Sequence, residues 1–78
     1  MNITWTYEIV NKSREEDHII TEISVQFDGD ITDKVAFYVH HYRPLTKDDV
    51  LDGIENRIIT EKDRIVSRIT MDKILTEL

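Results

Sequence analysis

The hydrophobic period of this chain changes once, at Arg43-Pro44, and that change limits the fold more than any other feature. Before it, apolar residues recur at every second position; after it, at every third or fourth. Ile3, Trp5, Tyr7 and Ile9 alternate with Thr4, Thr6 and Glu8. Residues 18–27 carry Ile19, Ile23, Val25 and Phe27 on one parity, and residues 34–42 carry Val35, Phe37 and Val39. Alternating β-branched and aromatic residues predict half-buried strands over these stretches. The connections Asn11–Asp17 and Asp28–Asp33 are polar and turn-like. Pairing Ile9 with Ile19, and Phe27 with Val35, makes odd-numbered apolar residues meet in both hairpins, which predicts an antiparallel 1-2-3 meander. This register sets His40 opposite Glu22, and Ile20 opposite both Glu8 and Tyr42.

After Pro44 a helix is expected. Thr46 precedes Lys-Asp-Asp and supplies a capping oxygen with acidic groups behind it. Val50, Leu51, Ile54, Ile58, Ile65 and Ile69 fall in one sector about 100° wide on a helical wheel. The stretch Thr60-Glu-Lys-Asp-Arg has no apolar residue and reads as a second helix start, while Met71, Ile74, Leu75 and Leu78 lie on a different face. One kinked helix or two segments, about 47–58 and 61–77, follow from this pattern, with a single long helix as the competitor. Such a helix would run about 46 Å and overhang the sheet. The expected class is α+β in one domain, residues 1–78: a three-stranded meander over 1–43 with helical segments over 46–78 packed on its Ile3/Trp5/Ile23/Phe37 face.

Size and charge narrow the function. The chain has 78 residues, 16 acidic against 10 Lys and Arg, and a net charge of -6. That balance argues against binding nucleic acid, which needs a basic footprint. Without cysteine there is no disulfide scaffold, thiol nucleophile or Cys-ligated metal. The longest apolar run, Val35–Val39, cannot span a membrane, and no signal peptide opens the chain, so a cytoplasmic location is expected. A compact chain of this length has a radius of gyration of roughly 11–12 Å. It also buries only about 60% of its surface, so self-association is expected to supplement its core.

Chemistry-bearing motifs are few. His40 and His41 are adjacent on a strand and point to opposite faces, although His18, His41 and a carboxylate could form a metal or small-ligand site. Asp28-Gly29-Asp30-Ile31-Thr32-Asp33 has three carboxylates but lacks the calcium-loop pattern and reads as a turn. There is no glycine-rich phosphate loop, no Gly-x-Ser-x-Gly elbow and no Cys–His pair, so an enzyme is not expected, nor a cofactor. Arg57, Arg64 and Arg68 form a stripe that Glu61 and Asp72 can pair with.

The outer sheet face is less ordinary. Val10, Ile20, Tyr38, His40 and Tyr42 gather where polar residues are expected, which suggests an interaction surface. Val35–Tyr42 is an edge with no Pro and no Lys after Lys34, open to pairing with another chain.

Ile3-Thr4-Trp5-Thr6, Arg14-Glu15-Glu16-Asp17 and Leu45-Thr46-Lys47-Asp48-Asp49-Val50-Leu51 together resemble small uncharacterised bacteriophage proteins, particularly of marine phages. Twelve Ile against one Ala also suit an AT-rich genome. The resemblance implies no activity, only a phage-encoded origin and a host or virion protein as partner.

The expectation is therefore a small acidic, non-enzymatic interaction protein, homo-oligomeric with a dimer favoured. An acidic mimic of nucleic acid that inhibits a basic host protein through Asp48, Asp49, Asp52 and Asp63 ranks second. The histidine site ranks third.

Overall fold

The computed structural model describes all 78 residues. Three strands, β1 (Ile3–Arg14), β2 (His18–Gly29) and β3 (Lys34–Tyr42), form an antiparallel sheet in the order β1-β2-β3, followed by one helix, α1 (Lys47–Glu77). The α+β class and the meander are as expected. The helical half is not divided: α1 runs 31 residues without a break. Thr60, read from sequence as a helix start, instead turns its hydroxyl back onto the Asn56 carbonyl at 3.0 Å. The helix opens at Thr46, whose side chain accepts the Asp49 amide while the Asp49 carboxylate accepts the Thr46 amide, a reciprocal capping box.

Both hairpin registers differ from the expected ones. Ile9 pairs with Ile23 rather than Ile19, Tyr7 with Val25 and Trp5 with Phe27. In the second hairpin Val25 pairs with Val35 and Ile23 with Phe37. The inward parity survives, because both slips are even numbers of residues. The first slip arises because β1 continues through polar Asn11–Arg14, with a bulge at Val10, and turns only at Glu15–Asp17. In the second, Phe27 donates its amide to the Asp33 carbonyl at 3.0 Å, and Ile31 folds from the Asp-rich loop into the core.

The core is one cluster: Ile23, Val25, Phe27, Ile31 and Phe37 from the sheet side against Ile54, Ile58 and Ile65 of α1. Its burial is uneven across the sheet. On β2, Thr21, Ile23, Val25 and Phe27 are at most 2% exposed. On β1, Ile3, Trp5 and Tyr7 are only half-buried and Ile9 is exposed. The helix starts over β3, where Arg57 lies 4.9 Å above the Phe37 ring, and reaches β1 lower down, where Lys62 lies 5.8 Å above Trp5.

The two ends of the molecule extend beyond this core. Residues 8–17 of the first hairpin are exposed at one end, and residues 67–77 of α1 with the following Leu78 at the other. Arg68 makes the last link to the sheet, through Asp33 at 3.5 Å. The radius of gyration is 15.0 Å and the extents are 50 × 21 × 17 Å, well above the roughly 11–12 Å of a compact chain.

This division predicts unequal mutational costs. Ile58→Ala should lower stability by about 2–5 kcal/mol. Leu75→Ala, on the exposed helix end, should stay within about 0.5 kcal/mol. Urea unfolding of the two variants checks the ratio; equal losses would mean that the helix end is packed.

Candidate interaction surfaces

Three surfaces carry side chains that the core does not use. The first is the outer face of β2 and β3. Strand pairing sets His18 opposite Tyr42, Ile20 opposite His40 and Glu22 opposite Tyr38, so the expected partners of His40 and Ile20 are replaced. Ile20 meets Ser13 on β1, not Glu8. The rings stack: His18 on Tyr42 at 4.7 Å between centroids, and His18 on His40 at 5.3 Å. The Asp17 carboxylate holds His18 Nδ1 at 2.8 Å. Tyr38 stands beside the stack and donates its hydroxyl to Glu22 at 3.1 Å, and the neighbouring carboxylate raises the phenol above its ordinary range. Of the five residues singled out from sequence, Ile20, His40 and Tyr42 thus share one patch with His18, and Tyr38 borders it. Val10 lies apart, at the β1 bulge, level with Glu22.

His41 belongs to the opposite face. It is 7% exposed, under the start of α1, with Nε2 at 2.9 Å from the Thr21 hydroxyl. Burial, with a smaller contribution from His40, lowers its pKa below the ordinary histidine value. The sheet therefore stands between His41 and His18, and the three histidines do not converge. No group of three or more His, Asp or Glu is arranged to hold a metal ion. In the Asp28–Asp33 loop, the Asp30 carboxylate accepts the Asn2 amide at 2.6 Å, a link that ties the start of the chain to the loop. Gly29 is required there: its φ is +102°, and a Cβ would lie 2.2 Å from the Asn2 carbonyl oxygen.

The second surface is the pair of sheet edges. The β3 edge, open by sequence, is engaged by the helix: Arg57 Nη1 donates to the Tyr38 carbonyl at 3.3 Å, while Nε donates to Glu61 at 2.9 Å. Glu61, only 9% exposed, also accepts from Arg64 at 3.3 Å. The arginine stripe is thus spent on Glu61 and, through Arg68, on Asp33 rather than Asp72. No hydrogen bond from elsewhere in the chain reaches the outer edge of β1 between Ile3 and Ile9. The β3 edge looks open in sequence because the Arg57 contact joins residues 19 positions apart.

The third surface is the end of α1. Met71, Ile74, Leu75 and Leu78 are 56%, 50%, 68% and 96% exposed. At 100° per residue they fill a sector about 100° wide, turned by roughly a third of a circle from the Ile54/Ile58/Ile65 stripe. The sheet-facing stripe itself becomes polar at Asp72 and Thr76. This end therefore cannot bury its apolar side chains against its own sheet.

The largest concavity, about 320 Å³ and open to solvent, sits at the hairpin tip between Arg14, Glu15, Glu16, Asp17, His18 and Arg43. The aspartates at the helix start are partly committed: the Leu45 and Thr46 amides bind Asp49 and lower its pKa. No helix is long and apolar enough to cross a membrane. Searches against family models, curated proteins and solved structures gave no match, so function is read from the geometry of the chain itself.

Two predictions concern the seat of α1 on His41. Gly53 lets the helix approach, since a Cβ there would lie 2.9 Å from His41 Nδ1. Gly53→Ala should cost about 1–3 kcal/mol by overpacking, despite about 1 kcal/mol of gained helix propensity, as read by urea unfolding. A net gain would mean that His41 can move aside. Because the folded pKa of His41 is lowered, the unfolded chain binds its proton first, and stability falls as pH drops below about 6.5. The advantage of the natural protein over His41→Gln should shrink between pH 7.5 and 5. A pH-independent difference would contradict the neutral, buried assignment.

Proposed function

We propose that this chain is a small, acidic, non-enzymatic interaction protein that works as a self-associated assembly and binds a protein partner through exposed apolar surface. The observation that carries this reading is an excess of surface. The chain exposes 5842 Å². A compact monomer of 9.3 kDa exposes about 5,000 Å². The difference, roughly 850 Å², is close to the 800 Å² or so that each partner contributes to a standard interface. Exposed apolar side chains cluster at the end of α1, and the aromatic row of β1 is only half covered. Monomeric proteins rarely leave such clusters open to water.

The end of α1 has the form of a binding arm: an amphipathic helical segment with its apolar sector free, suited to a hydrophobic groove on another protein. The His18/Ile20/His40/Tyr42 patch offers a second, flatter surface rich in aromatic rings. The resemblance to small bacteriophage proteins supports a phage-encoded origin, with a host or virion protein as the partner and the host cytoplasm as the place of action.

Light scattering on a sizing column, over a concentration series and at two salt levels, tests the self-association. A mass of at least twice 9.3 kDa is expected, with little salt dependence because the surfaces are apolar. A mass of 9.3 kDa at every concentration would remove the self-associated reading.

A further inference from the structure

We propose that the outer edge of β1 pairs with the same edge of a second copy, antiparallel and centred on Thr6, joining two sheets into one of six strands. The proposal rests on the self-association reading above and names the surface that carries it. A three-stranded sheet has two edges, and here they are unequal. The β3 edge is engaged by Arg57 at the Tyr38 carbonyl, and the strand has 9 residues. β1 has 12 residues, and between Ile3 and Ile9 its outer edge is bare. An uncovered regular edge is a template for another strand.

The sequence of that edge is self-complementary. The regular stretch is bounded by the start of β1 at Ile3 and by the bulge at Val10, with Lys12 beyond, and its midpoint is Thr6. Antiparallel pairing about this midpoint uses the whole stretch. It sets Ile3 opposite Ile9 and Trp5 opposite Tyr7 on the helix side, and Thr4 opposite Glu8 on the other. Aromatic and aliphatic cross-strand pairs of this kind stabilise a sheet, and no like charges face each other. A slip by two residues toward the bulge would bring Ile3 against polar Asn11, and a slip the other way would carry Ile9 past the start of the facing strand. The same pairing covers the flank of Ile3, Trp5, Tyr7 and Ile9, the row that α1 leaves incompletely buried. This edge and the flank beside it supply part of the surface excess of roughly 850 Å², the rest of which lies at the hairpin tip and the end of α1.

The absence of native cysteine makes the test direct, because one introduced thiol is the only one. Thr6 is exposed, so Thr6→Cys should fold normally, which circular dichroism verifies. Across the two-fold axis the two thiols lie within reach of a short bismaleimide, and most of the chain should run as a covalent dimer on a denaturing gel. Met71→Cys, on the free helix end, should cross-link at least tenfold less. A doubled mass by light scattering with Met71→Cys cross-linked and Thr6→Cys not would overturn the edge pairing while the self-association reading stands. A mass of 9.3 kDa throughout would overturn both.

Discussion

One helix cannot roof three strands. An α-helix is about 10 Å across with its side chains, and three strands spaced about 4.8 Å apart present a wider floor. Everything else in this molecule follows from where the helix lies on that floor. It covers the middle of β2, so Thr21, Ile23, Val25 and Phe27 form the sealed centre against Ile54, Ile58 and Ile65. It begins over β3, and there it both buries Phe37 and engages the strand edge through Arg57. β1 receives what remains, a flank contact from Lys62 and partial cover for its aromatic row.

Polar groups fix where the helix sits. His41 is held by Thr21 from below and closed over by Gly53 from above, and a larger residue at either the glycine or the histidine would tilt the helix. Two turns further on, Glu61 gathers Arg57 and Arg64 at 9% exposure. Apolar contacts alone tolerate sliding by a turn of helix; these hydrogen bonds do not. Every buried polar side-chain atom finds a partner, which is what a single well-defined packing requires.

The alternation of Ile3/Trp5/Tyr7 and of Ile23/Val25/Phe27 was enough to give strands, faces and topology, because period 2 dictates which side chains share a face. It was not enough for register. Several registers of the same parity satisfy the pattern, and the choice among them fell to the Val10 bulge and to Ile31, a core residue inside a loop that composition marks as polar. Thr60-Glu-Lys-Asp-Arg looked like a new helix start because its composition is that of one. In the fold, Glu61 is neutralised by Arg57 and Arg64, and the segment continues the helix. The outer-face cluster was legible in its membership but not in its contacts, since ring stacking of His18 with Tyr42 depends on the register. The inequality of the two edges was not legible at all, for it depends on a helix side chain reaching a strand carbonyl. The phase slip after Thr70, by contrast, was visible in sequence and corresponds to the helix end that leaves the sheet.

That helix end has a dynamic consequence. So short a helix in isolation is marginal in water, but residues 67–77 grow from a nucleus already fixed by the core. They need no nucleation, only propagation, and they open by fraying from Leu78 inward. Amide hydrogens along α1 should therefore grade from rapid exchange at the tip to exchange by global unfolding around Ile58. Were a groove to receive such a segment, it would be ordered one turn at a time, and the entropy lost would scale with the number of turns engaged. Contact with few turns would then be weak and quickly reversed, and contact with all of them firm, so binding through such a helix end would be graded by the length of groove that receives it.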